Sequence, residues 1–486
     1  MEEIVHRWIG AFTVIRADLL ALIGIALALA VTVHVLLRKR EVGGAIGWIG
    51  LVWLSPLFGA ALYALFGVNR VTRRARKLGA RPSDQAVAGQ PAEPSTGAVP
   101  AAFRPLEHAV RQITQLPLQA GNRVHLLRNG DAAYPAMLAA IAGATRSVAL
   151  SSYIFRDDAT GRTFADALIA ARARGADVRV LVDGIGSGYF FPGIYRRLHQ
   201  AGVPVGRFMH ATLPWRMPFL NMRTHKKLLI LDGRIAFTGG INIAEANRVA
   251  TQPPHPVRDT HLRIEGPVVE QFAAAFAADW AFVMGEELES EELEGEAWFP
   301  PLTPAGETLA RVVTSGPDAD IRKIEIVVMQ AMACAQTSIR LATPYFLPSE
   351  IITNALALAA LRGITVDVVI PRASDHHFVD WATRAHVDPL IESGVRIWLD
   401  DPPFDHSKIL VVDEQWCFLG SANWDMRSFR LNFELNVELY DADLAVRLTR
   451  FIREKMNVRL LQADLRGRAL PVRLRDAGVR LLLPYL

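Results

Sequence analysis

One short pattern occurs twice in the sequence, and this repetition constrains the fold more than any other feature. Each copy places a histidine, a lysine two residues later and an aspartate five residues after the lysine, and each ends in a glycine followed three residues later by an asparagine. The first copy contains His225, Lys227, Asp232, Gly239, Gly240 and Asn242, and the second contains His406, Lys408, Asp413, Gly420, Ser421 and Asn423. The matching copies predict two similar half-domains that build one site.

The segments around the two motifs also repeat. Apolar β-branched runs alternate with alanine-rich helical stretches, which is the pattern of helices packed on a mostly parallel, buried sheet. The repeated pairs are 147–155 with 338–346, 167–183 with 355–371 and 201–205 with 393–397. We therefore predict an α/β protein with two α/β/α half-domains in a pseudo-twofold arrangement. The first covers residues 106–298, with its motif at 220–247, and the second covers 299–486, with its motif at 401–428.

The N-terminus is predicted to form a membrane anchor over residues 1–69. The run 19–37 is almost wholly apolar and long enough to span a bilayer, and a second apolar run covers 45–68. A cleaved signal peptide is the alternative, but the acidic start at Glu2 and Glu3 and the second run argue against it. The expected structure is a hairpin of two transmembrane helices. Basic residues near the N-terminus and after residue 69 favour a body on the cytoplasmic side.

Two further segments lack the composition of a packed core. Residues 70–105 are rich in Pro, Ala, Gly and Ser and predict a flexible linker, and the acidic run 286–296 predicts a solvated helix or linker between the halves. The formal net charge of +4 suits an anionic partner without choosing between nucleic acid and lipid headgroup. Cys334 and Cys417 lie in apolar runs and are predicted to be buried thiols.

The motif residues suit phosphodiester chemistry. Side chains at positions i and i+2 of a strand face the same way, so each histidine projects together with its lysine. If the halves meet at these strands, one imidazole can attack phosphorus and the other can protonate the leaving alkoxide. The lysines, Asn242, Asn423, Gly240 and Ser421 are predicted to bind the non-bridging phosphate oxygens. No metal or other cofactor is predicted, because the motifs contain no carboxylate cluster of the kind that a two-metal site uses.

The carboxylates near the motifs are interpreted in two groups. Asp232 and Asp413 complete the catalytic motifs, yet seven residues of strand separate each from its histidine by about 23 Å. We therefore predict that they fix the hairpin turns. Asp259 and Glu434 each follow the histidine of their own half by about 30 residues. They are predicted to orient that histidine, with a surface salt bridge as the alternative.

These motifs resemble the signature of the phospholipase D superfamily, and the whole chain is similar to bacterial cardiolipin synthases with a two-span anchor. Further similar segments are 55–67, 121–130, 258–269, 314–318 and 343–348. The resemblance implies two phospholipase D-like halves that transfer a phosphatidyl group from one phosphatidylglycerol to another. It also implies that His225 is the nucleophile and His406 the general acid. The expected partners are phosphatidylglycerol, other anionic phospholipids and the bacterial inner membrane, in which the anchor is multi-pass; nucleic acid is not expected.

Two positions depart from the family pattern, and three other functions stay open. Asp405 stands where an apolar residue is usual, and Val257 stands where tryptophan is common. A phospholipase D that transfers to water or another alcohol would differ only in the acceptor. A nuclease-type phosphodiesterase would need a basic stripe with interleaved aromatics, which the body lacks. A non-catalytic membrane scaffold would be expected to have lost a motif residue, and both motifs are complete.

Overall fold

The structure is a computed structural model that describes residues 2–38, 42–67, 99–188, 192–209, 223–288, 297–316 and 322–481. Most of the predicted linker 70–105 and of the acidic run 286–296 lies outside these residues. The chain divides into two compact units, Met1–Lys77 and Leu78–Leu486.

The N-terminal unit is helical. Its elements are α1 (Glu2–Arg38), α2 (Val42–Leu54), α3 (Pro56–Leu62) and a short π-helical turn (Tyr63–Gly67). Within α1, the 21 residues Asp18–Arg38 have a mean hydropathy of 2.6 and are long and apolar enough to cross a membrane. The prediction of a single second helix over 45–68 is wrong, because the helix breaks before Pro56. Proline has no N–H to donate, and its ring clashes with the preceding turn.

Helices α1, α2 and α3 pack on one another within this unit. The buried contacts come from Ala28, Val31, Val35, Val52, Ala60 and Tyr63. His34 Nδ1 lies 2.7 Å from the hydroxyl of Tyr63. The imidazole of His34 in the apolar helix α1 therefore has a hydrogen-bond partner in the π-helical turn. The Trp53 indole donates to the Thr32 hydroxyl at 3.1 Å.

The body begins with a 3-10 turn (Ala101–Phe103) and α4 (Arg104–Thr114). The first half contains β1 (Gln119–Arg128), α5 (Asn129–Gly143), β2 (Ser147–Ser152), α6 (Ala159–Ala173), β3 (Asp177–Asp183), α7 (Gly193–Gln200), β4 (Val205–Phe208), β5 (Leu228–Leu231), β6 (Ile235–Gly239), two 3-10 turns (Glu245–Asn247 and Val249–Thr251), β7 (Val257–Arg258), β8 (Thr260–Glu265) and α8 (Val269–Met284).

The second half repeats this plan. It contains β9 (Thr308–Ser315), α9 (Lys323–Cys334), β10 (Ser338–Ala342), β11 (Phe346–Leu347), α10 (Glu350–Leu361), β12 (Thr365–Pro371), α11 (His377–His386), α12 (Asp388–Glu392), β13 (Arg396–Asp400), β14 (Phe404–Asp405), β15 (Ile409–Val412), β16 (Trp416–Gly420), β17 (Trp424–Asp425), α13 (Met426–Arg430), β18 (Glu434–Tyr440), α14 (Ala442–Arg453), β19 (Val458–Leu460), α15 (Gln462–Arg466) and α16 (Leu470–Arg480).

The strands of both halves join into one sheet, whose order carries the pseudo-twofold relation. Outward from its centre, the first half runs β1-β8-β6-β5-β2-β3-β4 and the second runs β9-β18-β16-β15-β10-β12-β13, with β19 added at the edge. The halves meet where β1 pairs antiparallel with β9, with Asn122 opposite Thr308. The predicted mostly parallel sheet is wrong. Parallel pairs occur only where a helix connects the strands, in β2-β3-β4 and β10-β12-β13, and the other pairs in this sheet are antiparallel.

Helices cover both faces of the sheet, as the α/β/α prediction requires. Helices α8 and α14 share one face, where Phe272, Trp280 and Leu448 belong to a single core that extends across both halves. On the opposite face, α5, α6 and α7 cover the first half and α4, α9 and α10 cover the second. Strands β5 and β15 are buried on both faces, which fixes the residues that precede them.

Candidate active site

The motif histidines lie just before the buried strands β5 and β15, at the line where the two halves meet. The imidazoles of His225 and His406 face each other with ring centroids 6.4 Å apart and an interplanar angle of 80°. Only 6% and 9% of their surfaces are exposed. The two copies of the motif therefore contribute to one nearly enclosed cleft.

The backbone explains how the halves interlock at this cleft. Thr224, which precedes His225, forms a parallel bridge with Phe433, and the His225 amide donates to the Phe433 carbonyl at 2.9 Å. On the other side, β14 pairs in parallel with β7, and the His406 amide donates to the Arg258 carbonyl at 2.7 Å. Each histidine segment thus pairs with the segment that precedes the carboxylate of the opposite half.

The carboxylate partners are consequently crossed between the halves. His225 Nδ1 lies 3.0 Å from Glu434 Oε2, and His406 Nδ1 lies 2.8 Å from Asp259 Oδ2. The structure brings both predicted carboxylates to histidines. The prediction that each contacts the histidine of its own half is wrong, because the inter-half strand pairs place them across the cleft.

The two carboxylates have different surroundings. Glu434 accepts hydrogen bonds from the Ser421 hydroxyl at 2.5 Å and the Asn432 amide at 3.0 Å. Burial raises the pKa of Glu434, but the attraction of His225 and Lys227 and the hydrogen bonds from His225 and Ser421 outweigh it, so the pKa is lowered. Asp259 accepts from the Thr260 amide at 2.7 Å, and burial raises its pKa to about 7. The two imidazoles therefore face unequal partners.

Burial also controls the basic groups of the cleft. It lowers the pKa of His225 to about 4 and that of His406 well below its ordinary value, so burial favours the neutral form of both imidazoles. It lowers the pKa of Lys227 to about 7 and that of Lys408 to about 8. A bound phosphodiester carries a negative charge and would raise all four values.

The lysines are anchored beside the histidines of their own motifs. Lys227 Nζ donates to the His225 carbonyl at 2.7 Å, and Lys408 Nζ donates to the His406 carbonyl at 2.5 Å. Lys408 Nζ also lies 2.9 Å from His406 Nδ1. Both ammonium groups are thus held at the floor of the cleft.

The predicted phosphate ligands divide into two groups. The Ser421 hydroxyl bonds Glu434, and the Ser421 amide donates to the Leu435 carbonyl. The Gly240 amide likewise donates to the Thr260 carbonyl, and a Cβ added there would lie 2.2 Å from Asp259 Oδ1. Ser421 and Gly240 therefore contact the two carboxylates, and their predicted role in phosphate binding stays a prediction.

The two motif asparagines differ from each other. Asn242 Oδ1 accepts from the Ile154 amide at 3.3 Å. Asn423 is 6% exposed, and its Oδ1 has no hydrogen-bond partner among the residues that the structure describes. A buried amide in this state is suited to meet a ligand, because an unpaired buried polar group is costly.

The motif aspartates lie at the far ends of the motif strands. Asp232 and Asp413 occupy hairpin turns with φ of 51° and 54°. The Asp232 carboxylate accepts from the amides of Arg146 and Ser147, and that of Asp413 accepts from the amides of Thr337 and Ser338, at 2.8 to 2.9 Å. The structure thus contradicts a direct catalytic role for these aspartates and places them as anchors of the strands that carry the histidines.

Asp405, one of the two unusual residues, is neutralised within the fold. It forms a buried ion pair with Lys455, and the Arg258 guanidinium lies 3.8 Å from the same carboxylate oxygen. The first half has a comparable pair with the charges exchanged, in which Lys226 donates to Asp279 at 2.7 Å. Val257, the other unusual residue, pairs with Phe404 at the junction of β7 and β14.

Several aromatic residues of the cleft were not predicted as site residues. The Tyr153 ring lies edge-on to His225 with centroids 4.8 Å apart, and Lys227 Nζ lies 5.1 Å from the same ring. Tyr345 and Phe404 lie 6.2 Å and 6.0 Å from the His406 ring. Both tyrosines occur in the repeated segments 147–155 and 338–346, which was the available signal.

Comparisons with known proteins agree with this geometry. A family model described as "Cardiolipin synthase, PLD-like domain" matches residues 137–280 and 328–456, and one described as "Phospholipase_D-nuclease N-terminal" matches 26–67. Among similar proteins, a cardiolipin synthase of Geobacillus kaustophilus (strain HTA426) is 33% identical over 99% of this chain and 95% of its own. The major cardiolipin synthase of Bacillus subtilis (strain 168) is 30% identical over 97% of this chain and 100% of its own.

A solved structure shares the fold. The phosphatidylserine synthase of Haemophilus influenzae Rd KW20 superposes with a TM-score of 0.59 at 14% identity, covering 78% of this chain and all of that one. The paired halves and the single shared cleft thus define a phospholipase D-like fold. This chain belongs to the cardiolipin synthase family of the phospholipase D superfamily. The apolar helix and the N-terminal match together indicate membrane association.

Proposed function

We propose that this chain is a cardiolipin synthase, a phosphatidyltransferase that converts two molecules of phosphatidylglycerol into cardiolipin and glycerol. The reaction type rests on one observation, the pair of imidazoles 6.4 Å apart that are each bonded to a carboxylate of the opposite half. The choice of substrates rests on the similarity to named cardiolipin synthases along nearly the whole chain.

In the first step, His225 attacks the phosphorus of the donor. Because a carboxylate can only accept, Glu434 holds the proton on His225 Nδ1 and leaves a lone pair on Nε2. This lone pair forms the N–P bond as the P–O bond to glycerol breaks. The negative charge of the bound donor raises the pKa of His406, so His406 enters this step as the imidazolium and gives its proton to the departing oxygen. The phosphatidylated imidazole is cationic. The low pKa of Glu434 keeps a negative charge beside it, which supports His225 as the nucleophile.

In the second step, a hydroxyl of the acceptor phosphatidylglycerol replaces the departed glycerol. Its proton passes to His406, its oxygen bonds phosphorus, and the N–P electron pair returns to His225. Lys227, Lys408 and Asn423 bind the non-bridging oxygens while negative charge develops on them, with Asn242 beside them. Asp259 orients His406, and its raised pKa suits a histidine that exchanges protons in both steps.

The proposed domain plan follows the prediction from the sequence. A multi-pass anchor over 1–69 holds the protein in the inner membrane, 70–105 is a linker, and the halves cover 106–298 and 299–486. The body lies on the cytoplasmic side, as the basic residues around the anchor favour.

A protease added to intact spheroplasts is then expected to spare the body and to cut it after lysis. Cleavage of the body before lysis would contradict the cytoplasmic side and place the body outside the membrane.

The product of the reaction tests this function directly. Purified full-length protein is given phosphatidylglycerol in mixed micelles, with label in the acyl chains and, separately, in the terminal glycerol. We expect labelled cardiolipin and free glycerol in equal amounts. Phosphatidic acid as the main lipid product would instead assign a phospholipase D that uses water as acceptor. No turnover would contradict phosphatidylglycerol as donor.

A further inference from the structure

The two ends of the cleft differ in chemistry although the motifs are related by symmetry. Arg223 and Phe404 each stand two residues before a motif histidine. The Phe404 ring lies 6.0 Å from that of His406 and 6.2 Å from that of Tyr345, so this end is aromatic. At the other end, the half-buried Arg223 bonds the side chain of Tyr153, whose ring contacts His225. The cleft therefore carries an arginine beyond His225 and an aromatic ring at the equivalent place beyond His406.

A second arginine from the opposite half reaches the same end. Arg427 lies on the short helix α13, and its carbonyl accepts from the amides of Leu431 and Asn432 at 2.8 Å and 3.1 Å. The next residue, Phe433, donates its amide to the Arg223 carbonyl at 2.8 Å. One turn thus connects the two arginines. Burial lowers the pKa of Arg223, Asp183 and Tyr153 raise it, and the like charge of Arg427 lowers it further.

Two carboxylates lie beside the arginines, Asp183 near Arg223 and Asp425 near Arg427, and both accept hydrogen bonds from the backbone. Asp425 Oδ1 accepts from the Ser428 amide at 2.6 Å. Asp183 Oδ1 accepts from the amides of Ile185 and Gly186, and its Oδ2 accepts from the amide of Thr224. Both carboxylates are thus held by the backbone, while the like charges of the two guanidinium groups oppose each other. Holding like charges together in a partly buried place is unfavourable, and a bound anion would offset that cost.

We propose that Arg223 and Arg427 bind the phosphate of the acceptor phosphatidylglycerol. This inference rests on the proposed function, and it means that the enzyme selects its acceptor by the phosphate that the acceptor carries. The two phosphates of cardiolipin are separated by one three-carbon glycerol. Two residues of extended chain, about 7 Å, separate Arg223 from His225, which matches a second phosphate next to the reacting phosphorus. The planar guanidinium fork suits phosphate oxygens. Water and simple alcohols carry no phosphate and would make no use of this pair.

The test compares two acceptors on the same enzyme. Cardiolipin formation uses an acceptor with a phosphate, whereas exchange of labelled free glycerol into phosphatidylglycerol uses the same hydroxyl without one. Both reactions pass through the same phosphatidylated His225. For Arg427→Gln we expect cardiolipin formation to fall about 10- to 100-fold, while glycerol exchange stays within about threefold of the wild type. Arg427→Lys is expected to recover part of the loss, because it restores the charge without the fork.

Arg430→Gln, on the same helix, is the matched control and is expected to change neither rate. Arg223→Gln should repeat the selective loss if it folds, and preserved glycerol exchange reports that the variant is folded. An equal fall in both reactions for Arg427→Gln would overturn the inference, since the arginine would then act on the donor or the fold. Unchanged cardiolipin formation would overturn it as well. A wild-type enzyme that exchanges glycerol but forms no cardiolipin would instead remove the proposed function and this inference with it.

Discussion

His406→Ala is expected to lower cardiolipin formation by about 10⁴-fold while leaving one half-reaction intact. The variant lacks the proton donor for the leaving glycerol, but His225 and its partner Glu434 are unchanged. A donor whose leaving group needs no proton, such as phosphatidyl-p-nitrophenol, should therefore still react and release one equivalent of nitrophenolate. Rapid-mixing absorbance measures this burst.

His225→Ala is the matched comparison for that experiment. Removing the nucleophile is expected to abolish both the turnover of phosphatidylglycerol and the burst with the activated donor. If His225→Ala kept the burst and His406→Ala lost it, the roles of the two histidines would be exchanged. Circular dichroism and retained binding to micelles would show that both variants are folded.

Glu434→Gln is expected to slow the attack on the donor by about 10²- to 10⁴-fold, although Glu434 belongs to the half opposite His225. The glutamine amide can donate to His225 Nδ1 and so favour the tautomer with the proton on Nε2, where the lone pair is needed. It also removes the negative charge that faces the phosphatidylated imidazole. The burst rate with the activated donor measures this step.

Asp259→Asn provides the contrast to Glu434→Gln. Its contact is with His406, so the burst with the activated donor should stay near the wild-type rate while cardiolipin formation falls. This opposite pattern distinguishes crossed partners from partners within a half. If Asp259→Asn slowed the burst and Glu434→Gln did not, the crossed arrangement would be contradicted for the working enzyme.

The sequence predicts the parts of this site that depend on local periodicity. The strand spacing of two places each histidine beside its lysine, and the seven-residue separation moves Asp232 and Asp413 to the turns. The internal repeat predicts two halves and a common cleft. These inferences need only the sequence within one motif and its copy.

Local sequence patterns do not predict how the strands of one half pair with those of the other. Glu434 and Asp259 follow the motif histidines at similar distances, so nothing within a half indicates that each crosses to the other. The crossing arises from the bridge of Thr224 with Phe433 and from the pairing of β14 with β7. Contacts within each half, in contrast, place Ser421 beside Glu434 and Gly240 beside Asp259.

The arginine pair and the sheet direction illustrate the same limit. Arg427 lies far from Arg223 in the sequence, and a turn of the second half brings it to the cleft. The alternation of strands and helices predicts parallel connections, but the motif strands return through tight hairpins, and hairpins make antiparallel pairs. Local patterns therefore predicted the elements, and long-range pairing determined how they share a site.

The central claim is that the two halves form one site in which His225 carries the phosphatidyl group. The most direct test is to treat His406→Ala with labelled activated donor, digest the protein under alkaline conditions and locate the label by mass spectrometry. We predict an acid-labile phosphatidyl group on the peptide that contains His225. Label on any other residue, or a burst of nitrophenolate without labelled protein, would contradict the account.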